Sequence, residues 1–226
     1  RPPITTLFPY TTLFRSTGDF KLDQTPIDGR HTDYAALSKF GKQGVMLLLS
    51  DSTGAESSGV TRSEAEVGKA LREIISGAEQ RVIVASFASH IHRLQQVCDA
   101  AVAAGRKVVV TGRSMVNNTK VARELGYLHI DAENIVDAFD THGLPPERVV
   151  VLCTGSQGEP LSALARMAAG EHRTVQVERA DTVIISASPV PGNEKAVSRV
   201  INRLSKAGCN VVDRKSTRLN SSHGII

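Results

Sequence analysis

Residues 149–168 read VVVLCTGSQGEPLSALARMA, and this stretch decides the fold prediction. The β-branched and apolar run at 149–152 is typical of a buried strand, and the glycines within 154–158 turn the chain. A helical pattern restarts at Glu159-Pro160, because proline suits the first turn of a helix. The apolar face of this helix consists of Leu161, Leu164, Ala165 and Ala168. The stretch therefore predicts a strand, a glycine loop and a helix.

The glycine loop at 154–158 has two interpretations. Its backbone N–H groups, its two hydroxyls and the following helix N-terminus would suit a bound anion such as phosphate. The glycines would equally serve an ordinary connection between a strand and a helix, and glycine motifs often match by chance. The loop by itself leaves both interpretations open.

The two ends of the chain translate sequencing adapters. Residues 6–16, TLFPYTTLFRS, are the in-frame translation of a common short-read adapter, and residues 213–223, DRKSTRLNSSH, translate its companion. We therefore interpret 1–16 and 213–226 as adapter-derived tails, expect them to be disordered, and exclude them from fold reasoning. Residues 17–212 are then expected to be an internal fragment of a longer protein.

The formal net charge of +4 belongs to these tails. They hold five basic residues and one aspartate, so residues 17–212 are neutral overall. Net charge therefore gives no support for nucleic-acid binding, which would need a local basic patch. Cys98, Cys153 and Cys209 lie far apart in apolar runs, which indicates reduced core residues of a cytoplasmic protein. No apolar run reaches about 18 residues, so no membrane span is expected.

Strand and helix signals alternate at short spacing through 17–212. The predicted strands are 45–49, 81–87, 107–111, 149–152, 174–177, 182–186 and 209–212. The predicted helices are 34–40, 64–77, 90–104, 119–125, 159–169 and 194–206, with Asp33, Ser63, Ser89 and Asn193 as caps. This alternation predicts an α/β fold with a mostly parallel, doubly wound sheet.

Polar side chains follow three of the predicted strands, where α/β folds place their chemistry. These side chains belong to Asp51, Arg113, Ser114, Ser186 and Ser188. In a parallel sheet their loops would share the carboxyl edge with Ser156 and Gln157. An arginine here would bind phosphate as a two-pronged donor, or would simply be solvated. The convergence of the loops is more informative than any one of them.

Other familiar site patterns are weak or absent. His90 and His92 resemble a metal pair, but two residues this close at a helix start face different directions. We interpret them as surface histidines, one of which caps the helix or touches a ligand. Residues 17–212 contain no G-x-S-x-G or P-loop motif, and Gly155 and Gly158 lack the spacing of a dinucleotide site.

Four groups of motifs, taken together and in this order, resemble the ribonuclease J family. They are TGDFK at 17–21, LLSDSTGAE at 48–56, SFASHIHRLQQ at 86–96 with TGRSM at 111–115, and LCTGSQGEP at 152–160 with SASPVPGNE at 186–194. The family has a metallo-β-lactamase fold with an inserted β-CASP domain. The resemblance implies that 17–50 ends the first metallo-β-lactamase lobe and that 51–212 is a β-CASP domain truncated at its C-terminus.

The resemblance also implies roles for individual residues. Asp19 matches the metal-bridging carboxylate, and Asp51 matches an acidic residue that orients a metal-site histidine, as outer carboxylates do. The β-CASP face that meets RNA would include Arg113, Ser114, Thr154, Ser156, Gln157, Gly158, Glu159, Ser186 and Ser188.

For the complete protein, the resemblance implies a cytoplasmic, metal-dependent ribonuclease that acts in RNA processing, including that of rRNA, and in RNA decay. It would combine 5′→3′ exonuclease and endonuclease activity, use two zinc ions to activate water, and form a homodimer or tetramer. The family motifs H-x-H-x-D-H and H-x-S-G-H are absent here, so we expect this chain to be inactive. Two alternatives stay open: another β-CASP nuclease, and a non-catalytic phosphate- or nucleotide-binding α/β module.

Overall fold

The computed structural model describes residues 14–52, 55–56, 58–59 and 63–213. The chain forms two compact units that divide between Ala65 and Glu66, downstream of the domain boundary predicted after residue 50. The predicted tails lie outside the described residues at 1–13 and 214–226. Within the described ranges, no helix is long and apolar enough to cross a membrane.

The first unit contains a small parallel sheet and one helix. Strand β1 (Phe14–Ser16) pairs with strand β2 (Leu47–Leu49), and helix α1 (Tyr34–Gln43) lies between them in sequence. As predicted, Asp33 caps α1, because its carboxylate accepts a hydrogen bond from the backbone N–H of Ala36 at 2.8 Å. The expectation of disorder is wrong for 14–16, whose extended backbone finds hydrogen-bond partners along β2.

A carboxylate missed by the sequence analysis organises the end of this unit. Asp23 accepts hydrogen bonds from the backbone N–H of Glu64 at 3.0 Å and from the hydroxyl of Ser63 at 3.1 Å. The Glu64 bond, followed by one from the backbone N–H of Thr25, holds the pKa of Asp23 below its usual value. Asp23 therefore supports the start of a helix that Ser63 alone was predicted to cap.

The second unit is built on a six-stranded sheet in which every strand pair is parallel. Its strands are β3 (Val82–Ala85), β4 (Lys107–Thr111), β5 (Ile135–Val136), β6 (Val149–Cys153), β7 (Thr182–Ile185) and β8 (Asn210–Val212). Their order across the sheet is β5-β4-β6-β3-β7-β8. This arrangement confirms the predicted fold class.

Helices cover both faces of this sheet. Helices α2 (Glu64–Gly77), α3 (Ile91–Ala103) and α4 (Arg113–Glu124) contribute to one buried apolar cluster, together with Val82 and Val84 of β3. Helices α5 (Ala163–Ala168) and α6 (Glu194–Lys206) contribute to the other, with Ile83 and Ala85. Alternate residues of one strand thus enter opposite cores, as the pleat of a strand requires.

Two helix starts differ from the prediction. Helix α4 begins at Arg113 rather than at 119, because Gly112, with φ 95°, turns the chain directly from β4 into the helix. Helix α5 begins at Ala163 rather than at Glu159, because Ser162 caps it by accepting from the N–H of Ala165 at 3.4 Å. Leu161, expected on the buried face, is instead 90% exposed.

Two further local predictions are wrong. Residues 174–177 form no strand, because the backbone N–H groups of Thr174 and Val175 donate to the ring of His172 and not to a neighbouring strand. The cap of α3 is His90 rather than Ser89, since Nδ1 of His90 accepts from the N–H of Arg93 at 3.4 Å. The expectation that one of the two histidines caps this helix is therefore confirmed.

Candidate nucleic-acid interface

The carboxyl ends of four neighbouring strands meet at one edge of the sheet. The register pairs Ala85 of β3 with Cys153 of β6 and Ile185 of β7, and it pairs Cys153 with Thr111 of β4. The loops at 112–114, 154–159 and 186–193 therefore begin at the same level. The predicted convergence is confirmed for these three loops, and we call this side of the sheet the carboxyl edge. It is wrong for the loop at Asp51, which follows a strand of the separate two-stranded sheet.

Gln157 joins two of these loops. Its side-chain amide donates to the carbonyl oxygen of Ser188 at 3.0 Å, and its Oε1 accepts from the backbone N–H of Val190 at 2.7 Å. The side-chain amide of Asn193 donates to the same oxygen at 3.4 Å. Gln157 is only 5% exposed, so its side chain holds the loops together from within.

The structure does not support an anion site at the start of α5. The backbone N–H of Ala163 donates to Thr154 Oγ1 at 3.3 Å, and that of Leu164 donates to the Thr154 carbonyl oxygen at 3.0 Å. The backbone N–H of Ala165 donates to Ser162 Oγ at 3.4 Å. The backbone N–H of Gln157 donates to the carboxylate of Glu159 at 3.2 Å. These donors are satisfied within the protein, which favours the ordinary strand-to-helix connection.

The polar residues predicted at the carboxyl edge differ in exposure. Ser156, Gln157, Gly158 and Ser186 are buried, whereas Arg113, Ser114, Glu159 and Ser188 are exposed and Thr154 is intermediate. Arg113 and Ser114 lie in the first turn of α4, a helix of 12 residues whose cap, Gly112, offers no side-chain acceptor. A helix N-terminus carries partial positive charge, so this corner combines a guanidinium, a hydroxyl and backbone donors.

Arg93 fixes the loop after β7, a role that the sequence analysis missed. It lies in the first turn of α3 and is 9% exposed. Its guanidinium donates to the carbonyl oxygen of Ser186 at 2.8 Å and also to the Ser186 hydroxyl. Ser186 was predicted to meet RNA, but its hydroxyl is engaged by Arg93 inside the protein. The string SFASHIHRLQQ contains Arg93, yet nothing in the sequence pairs it with β7.

His172 supports the end of β4 in a similar way. Its Nδ1 accepts from the backbone N–H of Val175 at 3.1 Å, so the proton of the neutral ring lies on Nε2, which donates to Thr111 Oγ1 at 3.2 Å. Burial, and then the charge of Arg166, lower the pKa of His172 below its ordinary value. The ring is therefore neutral near pH 7.

Ser86 adds an unsatisfied polar group at the end of β3. It is 2% exposed, and its hydroxyl has no hydrogen-bond partner among the described residues. Buried hydroxyls are nearly always hydrogen-bonded, so an unsatisfied one needs an explanation. Ser86 follows β3, whose neighbours in the sheet are β6 and β7.

None of the cysteines contributes a nucleophile. Cys98, Cys153 and Cys209 are free and buried, as predicted for core residues. Burial raises the pKa of Cys153 to about 12, and burial followed by the charge of Asp99 does the same for Cys98. A thiol with so high a pKa remains protonated at neutral pH and does not attack a substrate.

In the first unit, the two aspartates singled out from the sequence line the same shallow depression. This depression has a volume of about 470 Å³, and Asp19 and Asp51 line it together with Gly18 and Ser50. The backbone N–H of Asp51 donates to Thr17 Oγ1 at 3.0 Å, and the N–H of Thr17 donates to the carbonyl oxygen of Leu49 at 3.0 Å. These bonds tie the T-G-D turn to the end of β2.

These two carboxylates do not by themselves fit a zinc ion. Protein zinc sites use at least three histidine, cysteine or acidic ligands. In the part of the chain that the structure describes, no three such side chains are grouped to hold a metal. Any metal bound at Asp19 would need ligands from outside the described residues.

The fold and its edge loops define a parallel α/β domain with polar loops gathered at one edge. A sequence model described as "Ribonuclease J, beta-CASP domain" matches residues 79–204. The ribonuclease J of Mycolicibacterium smegmatis is 53% identical over 206 residues, which cover 91% of this chain and 37% of that protein. The ribonuclease J proteins of Mycobacterium tuberculosis and Thermus thermophilus are 50% and 47% identical, with 91% of this chain covered. They are covered over 37% and 36% of their own lengths.

The chain therefore belongs to the ribonuclease J family, and its second unit contains the β-CASP domain of that family. It spans less than two fifths of the length of these curated relatives.

Proposed function

We propose that this chain is part of a metal-dependent ribonuclease that acts in cytoplasmic RNA processing and decay as a 5′→3′ exonuclease and endonuclease. The observation that carries the proposal is 53% identity, over 91% of the chain, to a protein named ribonuclease J. The complete protein would use zinc and assemble as a homodimer or tetramer.

Within this protein, we assign RNA binding to the carboxyl edge of the six-stranded sheet. Arg113 is exposed in the first turn of α4, where guanidinium and backbone N–H groups both suit a phosphate. Ser114 adds an exposed hydroxyl in the same turn, and Ser188 is exposed further along the edge, after β7. Gln157, Arg93 and His172 hold the loops in place. Because the positioning residues are buried, the edge is fixed in shape before RNA arrives.

In the first unit, Asp19 is proposed as a metal-bridging carboxylate and Asp51 as the residue that orients a histidine ligand. Their common depression supports a shared site. The histidines would come from parts of the complete protein other than the described residues, so the chain alone should cleave no RNA. RNA cleavage by the purified chain with zinc or manganese, lost in Asp19→Ala, would contradict this.

RNA binding at the edge is tested by fluorescence anisotropy with a labelled single-stranded RNA. Arg113→Gln should weaken binding about 10-fold, as expected for the loss of one charge-assisted contact. Arg123→Gln is the matched control, because it removes the same charge from the last turn of the same helix. An equal effect of both substitutions, or of neither, would refute the assignment of the site.

The same titration separates the two classes of function. A phosphate- or nucleotide-binding module would release RNA when inorganic phosphate or a mononucleotide is added at modest concentration. An RNA-binding domain should retain RNA under these conditions, since it contacts several phosphates of one chain. Displacement at low phosphate concentration would favour the module.

The domain assignment is tested on the gene. Recovery and translation of the natural DNA beyond both adapter junctions should give H-x-H-x-D-H upstream and H-x-S-G-H downstream. Flanks that lack both motifs would remove the metal assignment of Asp19 and Asp51.

A further inference from the structure

Helix α6 has a basic outer face. Lys195, Arg199, Arg203 and Lys206 follow one another at intervals of four, four and three residues, so they lie along one side of the helix. All four are exposed. We call these four residues the α6 stripe. The helix turns its other side to the core, where Val197, Val200 and Leu204 are buried.

The charges of the α6 stripe are not neutralised by acidic neighbours. In the described part of the chain, none of the four forms an ion pair. Glu194 is the one acidic residue of α6, and its carboxylate accepts a hydrogen bond from the backbone N–H of Gly192 at 2.9 Å. Residues 17–212 are neutral overall, so the stripe is a local concentration of charge.

Only part of the stripe has an evident role in folding, because Arg203 and Lys206 lie in the last turn of α6, where the helix dipole favours positive charge. Like charges four residues apart destabilise a helix, and α6 has two such pairs, Lys195 with Arg199 and Arg199 with Arg203. Its apolar side already packs against the sheet. The repulsion within these pairs opposes the stability of the helix, and an anionic partner would relieve it.

The position of α6 indicates which kind of anion would bind the stripe. The helix follows the loop at 186–193, so its N-terminal end starts at the carboxyl edge and its body runs away from that edge. Its 13 residues extend about 20 Å. Ser198 and Asn202 lie between the cations on the same exposed face of the helix. A row of cations that continues from an RNA site matches the spaced phosphates of a single strand.

We infer that the α6 stripe is a second contact for the backbone of single-stranded RNA, continuous with the carboxyl edge. The contact is independent of base sequence, because lysine and arginine on an exposed helix face bind phosphates, which are the same at every nucleotide. It extends the bound length of RNA beyond the nucleotides held at the edge. The inference rests on the proposed function, since it requires RNA at that edge.

The test compares two lengths of RNA. The chain is titrated with labelled single-stranded RNA of about 4 and about 20 nucleotides, which bracket the usual range of site sizes. The variant Arg199→Gln/Arg203→Gln should bind the long RNA at least 10-fold more weakly and the short RNA as before. The slope of log K against log salt for the long RNA should fall by about 1.4, or about 0.7 for each lost phosphate contact.

The control is Lys120→Gln/Arg123→Gln, which removes two exposed cations from α4 on the opposite face of the sheet. It should leave the binding of both RNAs unchanged. Equal losses in the two double variants, or equal losses for the two RNA lengths, would mean general electrostatics and would overturn the inference.

Two other outcomes are informative. If the stripe variant binds both RNAs like the wild type, the inference fails while the proposed function stands; if the wild type binds neither RNA, both fail. Sedimentation tests whether a second copy of the chain, rather than RNA, occupies the α6 stripe. A dimer of the wild-type chain that the stripe substitutions dissociate would show that the stripe meets an acidic surface of a second copy, and would overturn the RNA contact.

Discussion

The two sheets of this protein contain similar apolar strands, but only one of them has a core. All four residues of β3 are fully buried, whereas the three leucines of β2 are 43–57% exposed. Helix α1 likewise contributes no buried residue. An apolar run therefore predicts a strand, but its burial depends on the neighbours that cover it.

The difference bears on what each unit can do by itself. The six-stranded sheet has helices on both faces and positions its edge loops through buried side chains. The two-stranded sheet presents apolar side chains and open edges, which are prone to association. The described residues therefore leave β2 without a cover.

The largest expected effect is a difference in stability between two alanine variants, one in the six-stranded sheet and one in the two-stranded sheet. Ile83→Ala should lower the free energy of unfolding by about 2–5 kcal/mol, because Ile83 is fully buried. Leu48→Ala should change it by no more than about 0.5 kcal/mol, since Leu48 is 57% exposed. Urea unfolding followed by circular dichroism measures both. Similar losses would show that β2 is covered as well as β3.

A smaller effect tests the packing of the edge loop. Gly158 and Gly126 share φ +72°, but a Cβ at 158 would lie 2.5 Å from the carbonyl carbon of Ala196, whereas one at 126 meets nothing within 4 Å. Both alanine variants carry the same backbone strain, so their difference isolates the clash. Gly158→Ala should be less stable than Gly126→Ala by about 1–3 kcal/mol, as for overpacked sites. Equal thermal stabilities would contradict the close approach of loop and α6.

The smallest effect concerns pH. The pKa of His172 is lowered in the folded protein, so the unfolded chain binds a proton first as the pH falls below the ordinary value of 6.5. Stability should therefore decline on acidification from about pH 7 to 5, and His172→Asn should flatten this decline. His129→Asn, at an exposed position, is the control. A decline of the same size in the His172 variant would exclude His172 as its source.

The sequence predicted most accurately the elements whose bounds depend on local signals. Strand β4 has the predicted bounds of 107–111, and the end of α6 at Lys206 was also correct, because β-branched runs and terminal glycines are strong local signals. The edge convergence followed from topology alone. In the first unit, only the family resemblance linked Asp19 and Asp51, which line one depression.

What the sequence could not supply was long-range pairing. Arg93 and Ser186 are 93 residues apart, and Thr111 and His172 are 61 apart, so no local pattern links them. The start of α4 was missed because Gly112 gives no side-chain cap to recognise. The helix N-terminus invoked in the anion interpretation of the 154–158 loop is not free, because Thr154 and Ser162 accept from the N–H groups of Ala163 and Ala165.

Amide chemical-shift mapping tests the central claim, that the carboxyl edge binds RNA, most directly. Isotope-labelled chain is titrated with single-stranded RNA, and the perturbed amides are located on the sheet. If the edge binds RNA, perturbations will concentrate at 112–114, 154–159 and 186–193, while amides at the opposite ends of the strands, near Lys107 and Val149, will stay unchanged. Perturbations confined to those opposite ends, or none at saturating RNA, would contradict it.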